Sequence, residues 1–533
     1  MESTPSPQPT MPVVSLSPLS AHLVHNFAHS VVEDGEKKIT VNPVVSKFAS
    51  WYEKLRNAMD YKEEEVVLRT AIERILRRRM LWGSDPAKIA SPLVKELVWA
   101  RYFKNGALPE DSIEKTRQKI AVYLKLRNHL VNNKVLSEST INEWIYNLMS
   151  SDIEHMLSIH KDKELIANYM FQILRNQVHI AGEDGQTRDV QVFIAIRRAF
   201  ARDDVAFLRF HLFSQIFGSL SEHTVDHIAS NFKQGYDEIQ KQLANKMQDK
   251  IYMYVKRRTA VFFILDEILV TQKGKIKDLL QDENAFKTYV FDICNHKYQG
   301  ISKKVQTAIV RSVVFIIFTK VLFAYLVEGT YERIFFGGVQ WGNILINTLI
   351  PPILMVIVGL FIRAPGTANS ERIYEFIRLV LTSEHPKLGS DLRLTTEQIK
   401  TDSTMSTVFS TLWVLAFVIS FGAIIYVLSL LGFQWVSMGV FIFFVAVVSF
   451  LSYRIALIPQ TYAVVDTQGV LTPIVDFLFL PVIRVGRHLT EGISQINIFI
   501  FLFDFIIETP FKGIFAFFDQ WFLFLHAKRE DLG

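Results

Sequence analysis

Four long apolar runs decide what this chain can fold into: Ile309 to Val327, Asn343 to Ile362, Val408 to Phe433 and Trp435 to Ile458. A hydrocarbon core about 30 Å thick is crossed by about 20 residues of helix. Backbone polar groups have no water to bond with inside it, so each run reads as a spanning helix. The rest of the chain has another character. Of the 58 Lys+Arg and 53 Asp+Glu, 43 and 37 fall between Met1 and Lys304, whereas 27 of the 42 Phe come after Lys304. The two parts are suited to two solvents, which excludes a single soluble domain, a disordered chain and a disulfide-stapled module.

The polar part reads as helical almost throughout. Asn42 before Pro43 and Asp85 before Pro86 each pair a capping side chain with a proline at the first helical position. Helices open near Pro109 and at Ser137 to Thr140, and Gly182 to Gly185 is the clearest internal loop, a place where the region divides in two. Val190 to Ile196 alone looks β-like, and the arginines after it continue more naturally as helix. The first twenty residues, rich in Pro and Ser, read as a disordered tail and lack the basic start of a secretory signal. The fold class expected is therefore all-α: a soluble multi-helix domain over 21–304, a four-span membrane domain over 305–458, and membrane-associated helices over 459–533.

Basic residues orient the spans. Lys297, Lys303, Lys304 and Arg311 lie at the start of the first span, and Arg363, Arg372, Arg378, Lys387, Arg393 and Lys400 lie between the second and third. The segment Glu328 to Gly342 holds only Arg333. The positive-inside rule then puts the helical domain, the loop 363–406 and both termini on the cytosolic side of a cell (plasma or inner) membrane. Within that loop Ile373, Phe376, Ile377, Val380 and Leu381 predict a short surface helix, and the last two spans form a tight hairpin around Gln434. The single Cys294 fits a reducing compartment. After Pro459 the polar residues Asn497, Asp504 and Glu508, then Lys512, Asp519 and His526, recur at helical intervals. They form narrow stripes suited to the bilayer interface or to packing on the spans.

The most informative polar residues lie inside the spans. Lys320 sits near the middle of the first. In the second, Asn347 precedes Pro351 and Pro352, whose missing N–H groups leave carbonyls near Asn347 and Thr348 without a helical donor. A charge at that depth is costly and faces protein or water, so Lys320 is expected inside the bundle with those acceptors. This set, Lys320, Asn347, Pro351 and Pro352, is the candidate intramembrane site.

Other motifs carry less. VFFILDE at Val261 to Glu267 resembles a metal-binding strand of phosphate-loop ATPases, but the glycine-rich phosphate loop that chemistry needs is missing, and a helix fits better. His22, His25 and His29, and His223 with His227, are spaced for a helix face, yet no third ligand is identifiable, so no metal or cofactor is expected. The runs at Arg77 to Arg79, Lys256 to Arg258 and Lys273 to Lys277 suit anionic headgroups or solvent, and a net charge of +5 gives no reason to expect nucleic acid. No catalytic constellation is found, so the chain is read as not an enzyme. The expected function is a membrane-anchored helical scaffold or adaptor that meets the lipid bilayer and docks a cytosolic protein partner, with a homo-oligomer open. The alternative is a transporter or channel component using the polar groups of the first two spans.

Overall fold

The computed structural model describes residues 15–29, 38–43, 66–81, 85–158, 162–182, 184–272, 275–338, 341–395, 403–464 and 472–494, with a few single positions besides. Its elements are helical almost without exception, and the all-α expectation is met. The helices of the polar part are α1 Pro18–His29, α2 Val67–Met80, α3 Pro86–Trp99, α4 Asp111–Asn132, α5 Glu138–Leu157 and α6 Asp162–Leu174. Strand β1 Val178–Ala181 is followed by α7 Gly185–Ile196, a π-turn at Arg197–Ala201, α8 Val205–Phe217, α9 Val225–Leu243 and α10 Gln248–Lys256. Then come α11 Thr259–Thr271, α12 Ile276–Leu279, α13 Glu283–Phe323, a π-turn at Ala324–Gly329, α14 Thr330–Phe336 and α15 Trp341–Phe361. The series ends with α16 Thr367–Thr382, β2 Leu392–Thr395, α17 Ser403–Leu430, α18 Trp435–Gln460 and α19 Thr472–Ser494. Strands β1 and β2 pair as a two-stranded sheet.

The chain divides into two compact units, one of 1–24, 180–182 and 257–496, the other of 25–179, 183–256 and 497–533. The division near residue 256 departs from the expected boundary after Lys304. The reason is visible in α13, a single helix of 41 residues that passes through Lys304 without a break. With α11 it packs against α16 in the span-bearing unit. Nor does the loop at 182–185 split the helical region, since both sides of it belong to the second unit apart from 180–182.

The second unit is built on the devices its sequence announces. Asp85 accepts a hydrogen bond from Ala87 N (3.0 Å) with Pro86 at the first helical position of α3. Ser137 likewise caps α5 by accepting from Thr140 N. Ile72, Ile75, Leu76, Leu93, Leu97, Ile120, Leu126 and Trp144 meet in one core, and Trp144 stands edge-on to Phe232 at 6.0 Å. Val190 to Ile196 is helical, as the continuation into the arginines suggested. The run Arg77 to Arg79 is largely consumed within this unit. Arg78 and Arg79 converge on the buried carboxylate of Glu96 at 2.6 and 3.2 Å, and Arg77 pairs with Glu73 at 2.7 Å. VFFILDE lies in the buried helix α11, in the span-bearing unit.

Four helices of the first unit are long and apolar enough to cross a membrane: the continuous run Glu283–Phe335, Ile344–Phe361, Thr407–Leu430 and Trp435–Gln460. The first is longer than the sequence suggested. Most of the expected loop from Glu328 is helix, because α13, the π-turn and α14 follow one another as far as Phe336. Helices α13, α15 and α18 pack together. A Cβ on Gly359 of α15 would lie 2.7 Å from Ile309 Cδ1, so the absence of a side chain is what lets α13 come so close.

The turn at Leu431 to Gln434 is tight, with Gly432 at φ 75° and Phe433 N bonded to Leu428 O. Beyond that turn, where Leu428, Phe433, Met438 and Phe441 cluster, α17 and α18 part. The long partner of α18 is α19, which also packs on α17. A Cβ on Gly486 would fall 1.9 Å from Ala446 O, so a bare backbone lies against the α18 backbone. The segment Thr472–Ser494 is therefore a 23-residue helix packed on the spans. The expectation of a disordered tail over the first twenty residues does not hold for residues 15–20. Ser17 and Ser20 are buried, Ser17 N bonds to Leu381 O and Ser20 Oγ to Val380 O, and Pro18 opens α1 behind Ser17 as its cap. Residues 1–14 lie outside the described residues. Helix α16 covers the segment read as a surface helix, but Ile373, Ile377, Val380 and Leu381 are buried beneath it.

A candidate intramembrane polar site

The site begins with a mismatch of polarity: an ammonium inside a helix that is otherwise Val, Ile, Phe and Leu. Lys320 is completely buried, as the sequence required. Its partner is Glu328, on the π-turn of the same helical run. Lys320 Nζ lies 2.6 Å from Glu328 Oε1, and both side chains are fully enclosed. Asn347 Nδ2, from α15, donates to Glu328 Oε2 at 2.8 Å and to the Ser437 carbonyl of α18 at 3.2 Å. The ammonium also stands 4.9 Å from the centroid of the Phe444 ring, on α18. Three helices thus meet at one ion pair.

The expected acceptors were different. Carbonyls freed by Pro351 and Pro352 were to receive Lys320; instead a carboxylate does, and Asn347 binds the carboxylate rather than the amine. Both prolines are buried in α15, which continues through them from Trp341 to Phe361. In the sequence Glu328 reads as the first residue of a loop between spans, where a charge needs no partner. The signal that would have found it is present in the sequence: an acid soon after an intramembrane base, followed at once by Gly329. That glycine leaves room for the wide turn, since a Cβ there would meet the Ala324 carbonyl at 3.2 Å. π-turns of this kind occur often at functional positions.

Around the pair lie polar atoms with no bond. Asn347 Oδ1, Thr348 Oγ1 and Ser437 Oγ are buried and have no hydrogen-bond partner among the described residues. Glu332, one turn beyond Glu328, is 2 % exposed rather than part of an open loop. Arg311 is exposed, which agrees with its being out of phase with Lys320.

Of the other singled-out residues, His22 and His25 are exposed on α1, His223 is exposed in the turn before α9, and His227 is exposed on α9, so the last two do not share one helix. Among the described residues no group of three or more His, Cys, Asp or Glu is gathered as a metal site would require. Cys294 is buried in α13. Asn497, Asp504, Glu508, Lys512, Asp519 and His526 lie outside the described residues.

A second polar cluster, within the helical unit, was not anticipated. Arg69 of α2 bonds Glu73 and Asp204, each at 2.6 Å, and Arg197, at the start of the first π-turn, bonds Glu164 at 2.7 Å and Asp203 at 2.6 Å. Beside them Glu154 of α5 has a buried carboxylate oxygen without a partner, and burial, with Asp203 and Asp204 adding to it against Arg69, pushes its pKa up to about 8. Burial also works on Asp203, but Arg197 and His211 hold its carboxyl below the usual range. Each of these residues reads in sequence as a solvated helix face; only the fold brings them together.

Comparison with protein-family models, with curated proteins and with solved structures finds no match.

Proposed function

We propose that this chain is a membrane-anchored helical scaffold or adaptor, whose four apolar helices hold it in a cell membrane and whose helical unit docks a protein partner on the cytosolic side. The observation that carries the reading is the enclosure of Lys320 and Glu328. The intramembrane charges neutralise each other at the meeting point of three helices with no exposed surface, which suits a locked anchor. Basic residues on one side of the spans support the cytosolic assignment. Affinity purification of the full chain from mild detergent tests the reading. A stoichiometric protein partner is expected with the intact chain and equally with the Lys320→Met/Glu328→Leu double variant, which keeps the anchor but removes its charges. Loss of the partner with that variant alone would count against a purely anchoring role for the pair.

The unbonded Asn347 Oδ1, Thr348 Oγ1 and Ser437 Oγ favour a second reading, a transporter or channel component with a polar pathway at this node. Its test is flux in reconstituted vesicles: the transporter requires solute or ion movement that the double variant abolishes, and the scaffold requires none.

A further inference from the structure

At one end of the α13 and α15 pair the surface opens into a cleft of about 600 Å³. Its walls are Gln299, Ser302, Lys303 and Gln306 on α13, and Gly366 with Thr367 where α16 begins. We propose that this cleft binds a phosphate group presented at the membrane surface, the phosphodiester of an anionic phospholipid being one source and a soluble phosphate the other. The inference stands apart from the scaffold reading and does not depend on it.

Depth is the first argument. The α13 wall ends three residues before Ile309, where the apolar run starts, and the α16 wall begins five residues after Phe361, where α15 ends. Ile309 and Gly359 touch, so both walls stand at the same end of an antiparallel pair. That is the level at which lipid headgroups lie.

Chemistry is the second. Lys303 is exposed and has no ion pair among the described residues, unlike Lys297, which is held 2.8 Å from Glu267. Opposite it, the first hydrogen bonds of α16 run from Asn369 N and Ser370 N to the Gly366 carbonyl, and Gly366 supplies no side-chain cap. The N–H groups of Thr367 and Ala368 have no acceptor among the described residues, and a helix N-terminus carries positive partial charge. A cation, two unbonded N–H groups and six neutral hydrogen-bonding side chains line the cleft with no carboxylate among them. This set favours a tetrahedral oxyanion over a carboxylate-seeking or cationic ligand.

Gly366 provides a clean test, because a Cβ there meets nothing within 4 Å and its φ of −104° suits any residue. Gly366→Phe should therefore fill the cleft without disturbing the fold, and Lys303→Gln should remove the cation. The purified full chain is exposed to phosphatidylglycerol, phosphatidylcholine or inorganic phosphate, and retained adducts are counted by native mass spectrometry, with thermal unfolding as the fold control. One basic contact at a membrane surface is worth about 1 kcal/mol, so phosphatidylglycerol should be retained about fivefold over phosphatidylcholine. Both variants should lose that preference, while Lys304→Gln, one residue along and outside the cleft, keeps it. Retention of inorganic phosphate but not phosphatidylglycerol, again lost in Gly366→Phe, would support the cleft with a soluble source. A preference unchanged in Gly366→Phe, or lost equally in Lys304→Gln, would overturn the proposal and leave only diffuse surface charge.

Discussion

Glu328 follows Lys320 by eight residues, a spacing that a straight α-helix places about 80° apart, yet their charged atoms are 2.6 Å from each other. The π-turn at Ala324–Gly329 underwinds the helix between them and brings the acid round to the face of the base. The pair is thus a property of backbone and side chains together, and Asn347 and Ser437 tie it to two neighbouring helices.

That arrangement predicts an asymmetry between single and double substitutions. Lys320→Met alone leaves a carboxylate enclosed without its cation, and Glu328→Leu alone leaves an ammonium. Breaking a buried pair from one side costs about 3–5 kcal/mol, whereas apolar replacement of both partners is often close to neutral. Thermal unfolding in detergent should show both single variants well below the parent and the double variant restored to near it. Equal stability of all four proteins would mean that the pair is solvated.

How much of this was legible beforehand can be read from these residues. The four spans followed from apolar run length, and the burial of Lys320 followed from its depth, because both depend on composition within one segment. Glu328 was lost because apolar counting stops a span at its first acid, and nothing in a linear pattern announces that a π-turn will bury that acid. The parting of α17 and α18 was likewise invisible. A short turn implies neighbours, but Gly486 gives α19 a closer approach to α18 than α17 has. Charged residues of the helical unit, such as Arg69, Glu154 and Arg197, carried no periodic signal at all, since their partners come from different helices.

Gly486→Ala tests the packing of α19. The added carbon would coincide with the Ala446 carbonyl oxygen, a backbone atom that cannot rotate away. Overpacking of this kind costs about 1–3 kcal/mol. A lower unfolding temperature, with faster proteolytic digestion, is expected. An unchanged melting curve and digest would show that α19 does not lie on α18 there.

Topology can be checked with cysteines in a Cys294→Ser background. Gly338 is exposed with open space around its Cα, and Lys387 is exposed after α16. Under the orientation set by basic residues, Gly338→Cys should react with an impermeant maleimide in intact cells, and Lys387→Cys should react only after permeabilisation. The opposite pattern would invert the protein. Glu332 is unsuitable as a reporter because it is buried.

Glu154 makes stability depend on pH in a direction opposite to that of an ordinary paired carboxylate. Burial raises its pKa from 4.5 to about 8, so the folded protein holds this proton while the unfolded chain releases it. Between those two values the native state binds more protons, and stability must fall as pH rises from 4.5 to 8 on account of this group. Above pH 8 the folded protein carries a buried carboxylate oxygen without a hydrogen-bond partner among the described residues, beside Asp203 and Asp204. Glu154→Gln keeps the shape and removes the charge. It should leave stability near pH 5 close to that of the parent and raise it at pH 8 to 8.5 by about 1–3 kcal/mol, the usual cost of an unsatisfied buried polar group. Thermal unfolding across this range, parent against variant, measures the difference directly. A constant offset between the two curves, or a parent more stable than the variant at pH 8, would show that Glu154 is ionised in the native state throughout.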